Sequence, residues 1–233
     1  MIENQRRIYM SAFEQLEKIG KKPIIAKIGG FRPEEHINSW FGGNFLLGAE
    51  EWPKDENGYM IPLLQISISE VPNGREIFGN IKLLQIYISR EHFISPVKNG
   101  EGWKLIEYKS IKGLNKQATP EESNILKPFQ IKWTLENKFD YPCWEESWEY
   151  VDMTEINESE ELNDVFFEKY SQYERTKIGG YASYIQSPIT EGYEYIMQIT
   201  SEEKPNFMIG DNGNIYIYKS REDKEWYLHW DCY

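Results

Sequence analysis

The first residues of the chain carry apolar side chains at helical spacing. They recur every three or four positions within residues 3–19, which predicts an amphipathic helix. The side chains on this stripe are Ile8, Tyr9, Phe13 and Leu16. After residue 20 the pattern changes to short apolar runs that are rich in β-branched and aromatic residues and separated by Gly, Pro and Asn. Such runs predict strands.

Eight of these runs predict strands. They cover residues 23–29, 61–68, 80–88, 103–109, 129–135, 193–199, 214–220 and 225–231. The run from Ile81 to Ile88 is apolar at almost every position, so we expect a central strand that is covered on both faces.

Two further helices are predicted between the strands. Thr119 is placed to cap free amide groups, Pro120 suits the first helical position, and Glu122 completes a capping box, so a short helix through Leu126 is expected. A second helix is expected over 159–173. Its buried stripe would consist of Leu162, Val165, Phe166 and Tyr170. The predicted fold is therefore mainly β in the α+β sense, with an N-terminal helix and about two further short helices.

Three sequence marks occur twice in the same order. WFGG at 40–43 and KIGG at 177–180 each precede a strand with a central glutamine, LLQI or IMQI, and then a strand that begins with GNI. The pattern predicts two related β lobes, about 21–110 and 175–233, joined by a helical acidic segment, 111–174. Two copies are too few for a solenoid, so we expect one domain over residues 1–233. The glycine pairs are interpreted as tight turns or close backbone approaches.

The residues around the first mark resemble the pattern of the YwqG-like family, a bacterial family of uncharacterised function. The resemblance rests on the FGG turn, a Trp-Pro dipeptide, an Asp-x-x-Gly turn at 55–58 and the LLQI strand, and on similar marks in the second half. It implies a mainly β, roll-like domain and brings no established catalytic residues. The structural motif residues are Gly42, Gly43, Trp52, Pro53, Gly179 and Gly180.

The net charge of −12 is concentrated in one segment. Residues 140–168 contain eleven acids and no Lys or Arg, which leaves the rest of the chain close to neutral. A negative field repels phosphate backbones, so nucleic acid is not an expected partner. It attracts a basic protein, or alternatively it only solvates the surface. The candidate partner-binding residues are Glu145, Glu146, Glu149 and Asp152.

Motifs for catalysis were not found. The three histidines and two cysteines lack metal-ligand spacing, and neither GxSxG nor HExxH occurs. Cys143 lies beside carboxylates, which raise the pKa of a thiol and weaken it as a nucleophile. No metal and no cofactor are therefore expected, and a non-enzymatic protein is the preferred interpretation.

Two glutamines occupy matching places in apolar strands, Gln65 and Gln198. A buried amide must be hydrogen-bonded, so these side chains either pin backbone segments or line a cleft between the lobes and bind a ligand. Together with Asp211 they are the candidate cleft residues.

The sequence thus predicts a non-enzymatic cytoplasmic binding protein, immunity-like or regulatory, that meets a basic protein partner through the acidic segment. The alternative is a small-ligand-binding protein or a hydrolase-type enzyme with its site between the lobes. No run approaches the ~18 apolar residues that a membrane span needs, and neither a signal peptide nor a disulfide framework is indicated. The sequence leaves the oligomeric state open.

Overall fold

Strands dominate the computed structural model, which describes residues 11–43, 45–91, 96–189 and 191–233. The strands are β1 (Ile24–Ile28), β2 (Trp40–Phe41), β3 (Leu46–Leu47), β4 (Lys54–Asp55), β5 (Gly58–Tyr59), β6 (Ile61–Ser67), β7 (Leu83–Ile88), β8 (Val97–Lys98), β9 (Trp103–Tyr108), β10 (Asn115–Lys116), β11 (Phe129–Leu135), β12 (Lys177–Ile178), β13 (Tyr193–Thr200), β14 (Asn214–Ser220) and β15 (Trp226–Asp231). The helices are α1 (Ala12–Ile19), α2 (Gly74–Phe78), α3 (Trp144–Ser147), α4 (Thr154–Asn157) and α5 (Glu160–Lys169). The predicted mainly β, α+β fold is confirmed. Among the described residues, no helix has the length and apolar character needed to cross a bilayer.

Helix α1 begins at a capping box. The Ser11 hydroxyl accepts a hydrogen bond from the backbone N–H of Glu14, and the Glu14 carboxylate accepts one from the backbone N–H of Ser11. Ala12 and Leu16 are the buried residues of this helix. The N-terminal part of the helix predicted over 3–19 lies outside the described residues.

Eleven strands form one curled antiparallel sheet in the order β8-β15-β14-β13-β12-β1-β11-β2-β6-β7-β9. Strands β1 and β11 pair at its centre, with Ile24 opposite Leu135 and Ile28 opposite Ile131. Strand β11 therefore belongs to the middle of the sheet, although it lies within the predicted helical acidic segment 111–174. All six residues of β7 are buried, as its apolar run predicts.

The two ends of the sheet are tied to each other by side chains. The indole N–H of Trp226 on β15 donates to a carboxylate oxygen of Glu107 on β9 at 2.6 Å. Between β8 and β9, the Asn99 side chain donates to the backbone carbonyl of Leu105 at 3.0 Å and accepts from its N–H at 2.8 Å. These bonds hold the curl of the sheet.

The two glycine motifs precede strands that pair in the same register. Trp40 lies opposite Gln65 between β2 and β6, and Lys177 lies opposite Gln198 between β12 and β13. The two glutamines therefore occupy equivalent positions. The single domain and the lobe boundaries, 21–110 and 175–233, stay predictions.

The glycines of both motifs make equivalent turns. The Gly42 N–H donates to the Leu63 carbonyl at 2.9 Å, and the Gly179 N–H donates to the Ile196 carbonyl at 2.8 Å. The register of β6 with β7 shifts at Leu63, and that of β13 with β14 shifts at Ile196. All four glycines of the motifs have φ between 61° and 86°, a region that side chains rarely adopt.

The third mark of the sequence repeat does not mark equivalent residues. Ser67 pairs with Leu83, and Thr200 pairs with Asn214, so the residue that corresponds to Asn214 is Leu83 and not Asn80. GNI lies in the turn before β7 in one half, whereas it begins β14 in the other.

The helix predicted from Thr119 to Leu126 is wrong, because the chain there forms only a 3₁₀ turn over Glu121–Ser123. The side chains expected to cap the helix bind other parts of the fold. The Thr119 hydroxyl donates to the Gly43 carbonyl at 2.6 Å, and the Glu122 carboxylate accepts from the backbone N–H of Tyr59 at 3.1 Å. Tertiary hydrogen bonds replace the local cap.

Helices α1, α3, α4 and α5 form a layer with its own apolar cluster, which includes Leu16, Ile156 and Phe166. Ser159 caps α5 by accepting from the Leu162 N–H, as expected for a helix that starts there. Val165 was expected on the buried stripe of α5, but it is 38% exposed. The buried side of α5 is narrower than predicted.

Gly180→Ala is expected to destabilise the protein more than Gly179→Ala. A Cβ atom at Gly180 would collide with Asp140 Oδ2 and lie 3.0 Å from Pro23 Cβ, whereas at Gly179 it would meet nothing within 4 Å. Positive φ costs either variant about 1–2 kcal/mol, and overpacking adds about 1–3 kcal/mol at Gly180 alone. Urea denaturation measures both free energies of unfolding, and equal losses would contradict the proposed close approach.

Candidate functional site

The two candidate cleft glutamines are engaged in pinning the backbone. The Gln65 side chain donates to the Asn38 carbonyl at 2.7 Å and accepts from the Leu46 N–H at 2.8 Å. The Gln198 carbonyl oxygen accepts from the Ser183 N–H at 2.9 Å. Both glutamines are buried, and they fix the backbone just before and just after the glycine motifs.

A cavity of about 560 Å³ lies beside the central strands β1 and β11. Its charged lining residues are Lys27, Glu136, Arg175, Glu202 and Lys204, and none of the three predicted cleft residues lines it. Lys204 donates to the Ile28 carbonyl at 2.8 Å, and Glu202 accepts from the Thr200 hydroxyl at 3.1 Å. Asp211, the third candidate, is an exposed residue.

The acidic segment separates into surface and buried carboxylates. Two of its eleven acids, Asp140 and Glu146, are buried. The nine exposed acids are Glu145, Glu149, Asp152, Glu155, Glu158, Glu160, Glu161, Asp164 and Glu168. Glu146, one of the four candidate partner-binding residues, is 6% exposed and so does not belong to the acidic surface, and its contact with a partner stays a prediction.

Asp140 forms a buried ion pair with Lys177 at 2.7 Å, and both side chains are fully closed to solvent. The oxygen in this pair is Oδ2, which also accepts a hydrogen bond from the Tyr181 N–H at 2.9 Å. The other oxygen, Oδ1, accepts a hydrogen bond from the Tyr173 N–H at 2.9 Å. Burial lowers the pKa of Lys177, and the neighbouring Asp140 opposes that shift. The pair joins β12 to the segment that follows β11.

Glu146 lies in a different electrostatic environment from Asp140. Its Oε1 receives one long hydrogen bond, from the Tyr150 hydroxyl at 3.4 Å, and its Oε2 has no hydrogen-bond partner. Burial raises the pKa of Glu146 to about 7, while the charge of Lys21 acts to lower it and Glu149 acts to raise it. Its carboxyl group therefore titrates near neutral pH.

Tyrosine rings surround this carboxyl group. We use the name tyrosine pocket for the cavity of about 120 Å³ that is lined by Glu146, Lys21, Arg221 and six tyrosines, among other residues. The tyrosines are Tyr150, Tyr181, Tyr184, Tyr193, Tyr195 and Tyr218. The Lys21 ammonium group lies 4.0 Å from the centre of the Tyr181 ring. The pocket therefore combines aromatic rings, acids and bases in one small space.

The outer side of the helical layer carries a cluster of aromatic rings, which we call the aromatic patch: Trp144, Trp148 and Phe167. Trp144 stacks on Phe167 at 5.6 Å between ring centroids and meets Trp148 edge to face at 6.1 Å. Trp148 is 43% exposed and Phe167 is 60% exposed. Each of the three has an exposed acid as a chain neighbour: Glu145, Glu149 and Glu168.

Within the described ranges, no group of three or more His, Cys, Asp or Glu side chains is placed to hold a metal ion. Burial raises the pKa of Cys143 to about 12, a hydrogen bond with the Glu146 backbone opposes this shift, and the charges of Glu146 and Glu145 support it. A thiol with such a pKa is a poor nucleophile at neutral pH.

Comparison with protein families identifies the chain. Residues 39–232 match the model of DUF1963, a domain of unknown function, and the chain belongs to this family. Comparison with curated proteins gave no match.

Sequence reasoning missed the Asp140–Lys177 pair and the tyrosine pocket. One signal for the pair was available: Lys177 begins an otherwise apolar strand, where a charge needs a partner. For the pocket, the signal was the density of tyrosines between Tyr181 and Tyr195. Neither the lysine in the strand nor the density of tyrosines identifies which of the eleven acids are buried.

Lys177→Met is expected to lower the free energy of unfolding by about 3–5 kcal/mol, because it leaves the buried Asp140 carboxylate without its cation. Lys27→Met is a matched control, since Lys27 is the lysine of the other KIGG motif and is exposed. We expect the control to stay within about 0.5 kcal/mol of the wild type. Chemical denaturation at pH 7 tests both variants, and similar losses would show that the buried pair has no special role.

Glu146→Gln is expected to stabilise the protein at pH 8. The pKa of Glu146 is about 7 in the folded chain against a usual value of 4.5, so the folded state holds more protons and wild-type stability falls as pH rises between these values. Above pH 7 the free energy of unfolding of the wild type is therefore lower, by on the order of 3 kcal/mol, than that of the variant with the neutral amide.

Thermal or urea unfolding at pH 5 and pH 8 measures this difference, which should shrink at the lower pH. Glu145→Gln, at the exposed neighbouring position, is the control. A stability difference between Glu146→Gln and wild type that does not change with pH would exclude the raised pKa.

Proposed function

We propose that this protein is a non-enzymatic cytoplasmic binding protein that engages a basic protein partner through the acidic face of its helical layer. An immunity-like or regulatory inhibitor is the version that fits such a role. The observation that carries the proposal is the aromatic patch: Trp148 and Phe167 are exposed in a segment that presents nine exposed carboxylates.

Aromatic and acidic groups have complementary roles in such an interface. Exposed Trp side chains commonly supply the buried anchors of protein interfaces, where a single truncation costs about 2 kcal/mol or more. The carboxylates steer a positively charged partner and exclude acidic ones. Residues 140–168 contain no Lys or Arg of their own to neutralise this field.

The finer family assignment, YwqG-like, belongs to the same proposal, and it rests on the WFGG turn, the Trp-Pro dipeptide and the LLQI strand. The alternative function, a ligand site or hydrolase centre between the lobes, has weaker support. Its candidate residues Gln65 and Gln198 are committed to backbone hydrogen bonds.

The test compares three forms of the tagged protein in affinity capture from the host bacterium, followed by measurement of the dissociation constant with the purified partner. The first is the wild type, and the second carries Glu145→Lys, Glu149→Lys and Asp152→Lys. The third carries an equal charge change at other exposed acids: Glu76→Lys, Glu91→Lys and Glu101→Lys. We expect a basic partner to bind the first and third forms at low salt and to be lost from the second.

Trp148→Ala in the same assay should weaken binding at least tenfold, since an anchor is worth about 2 kcal/mol. Raising the salt concentration should weaken the wild-type complex because it screens exposed charges. Binding that survives in the second form, or that is lost equally in the second and third, would overturn the proposal.

A further inference from the structure

The two halves of the sheet differ on the face opposite the main core. Gln65 pairs with Gln85 and Gln198 pairs with Tyr216, so Tyr87 in the first half and Tyr218 in the second, each two residues further along, occupy equivalent positions. In the first half, Phe45 and Trp52 cover the Tyr87 ring at centroid distances of 5.3 and 5.6 Å.

In the second half, Tyr193 and Tyr195 contact the Tyr218 ring instead, at centroid distances of 6.0 and 6.1 Å. The Leu46 N–H binds Gln65, and the Ser183 N–H binds Gln198 in the same way, so the residue that corresponds to Phe45 is Ala182. Here Tyr218 lines the tyrosine pocket. The space that the first half fills with its own aromatic side chains is partly open in the second.

Two buried polar atoms of the pocket residues have no hydrogen-bond partner, Oε2 of Glu146 and the hydroxyl of Tyr195. Glu146 is more than nine-tenths buried, and none of the described ion pairs includes it. Native proteins rarely leave a buried polar group unsatisfied, and such a group calls for an explanation. A carboxylate accepts hydrogen bonds only, so the missing group is a donor.

We propose that the tyrosine pocket binds an organic cation, a guanidinium or alkylammonium group, whose N–H donates to Glu146 Oε2 while its face or stem packs on the tyrosine rings. Tyrosine rings attract cations through their electron-rich faces. The lining acids Glu146, Glu149 and Glu194 outnumber the lining bases Lys21 and Arg221. An anion offers only acceptors to the ionised carboxylate, so it leaves Oε2 unsatisfied.

The cation has two possible sources, a free small molecule or a basic side chain of a protein. Glu149 lines the pocket and also follows Trp148 of the aromatic patch, but the argument for the pocket does not need the partner of the preceding section. Tyr150, which contacts Glu146 and meets the Tyr181 ring at 5.9 Å, belongs to the pocket and not to the patch.

The test is titration of the full chain with three probes, followed by NMR chemical shifts or calorimetry at constant ionic strength: ethylguanidinium, n-butylammonium and an end-blocked Gly-Arg-Gly peptide. Sodium acetate is the anionic counterpart. We expect saturable binding of the cations and none of acetate. Glu146→Gln should weaken cation binding at least tenfold, and Glu76→Gln, at an exposed position outside the acidic segment, should leave it unchanged.

Tyr195→Phe provides a second variant, because it removes the unpartnered hydroxyl and keeps the ring, and we expect a several-fold loss. Affinity should be about tenfold higher at pH 8 than at pH 6, as the carboxyl group with a pKa of about 7 becomes ionised. The charged and titratable groups around it are Lys21, Asp140, Cys143, Glu149, Tyr150, Lys177, Glu194, Arg221 and the other five tyrosines of the pocket.

Binding of the peptide at least tenfold tighter than ethylguanidinium would assign the pocket to a basic side chain of a protein. Equal affinities would assign it to a free cation. Absence of binding by all three cations, binding of acetate in their place, or undiminished binding in Glu146→Gln would overturn the proposal. None of these results depends on whether the acidic surface captures a partner.

Discussion

The side chains of Asp140 and Lys177 meet inside the protein, closed to solvent on both sides, and the arrangement around the candidate sites depends on this contact. Lys177 begins β12, and Asp140 follows β11 and also pairs through its backbone with Lys21, just after α1. Asp140 further receives the N–H groups of Tyr173 and Tyr181. One residue thus connects the sheet, the segment after the N-terminal helix and Tyr181 of the tyrosine pocket. The cost of burying two charges is offset only because each finds close partners.

Glu146 is a second buried carboxylate, and it lacks the close partners that Asp140 has. Asp140 has a cation and two N–H donors within 3 Å, whereas Glu146 has one hydroxyl at 3.4 Å and an oxygen with none. The first arrangement stabilises an ionised group in the fold, and the second raises the pKa of Glu146 toward neutrality. Because an unsatisfied buried carboxylate destabilises the folded state, the contacts of the fold explain Asp140, and they leave Glu146 as the basis of the binding site proposed above.

The pattern of apolar residues predicted most of the strands, since β6, β7 and β14 coincide with apolar runs in the sequence. It failed where tertiary contacts outcompete local preferences: Thr119 and Glu122 read as a helix cap, yet they bind the distant backbone of Gly43 and Tyr59. The sequence shows the concentration of acids in residues 140–168. Which of these acids is buried depends on the parts of the fold that pack against them. No local pattern distinguishes Glu146, which is buried, from Glu145, which is exposed. The glutamine pair was identified from spacing, while the choice between pinning and binding required the coordinates.

The two halves of the sheet share a framework and differ in what covers it. The glycine turns, the register shifts and the glutamine pins recur in equivalent places, and these are the parts that the backbone geometry requires. The first half then closes its outer face with Phe45 and Trp52, and the second leaves tyrosines around a cavity under the acidic helical layer. Side chains such as Phe45 and Trp52, which cover an apolar face, contribute to the stability of the fold. A cavity with polar walls and an unsatisfied carboxylate contributes little to it. The function is therefore to be sought where the halves diverge, at the acidic layer and the pocket beneath it.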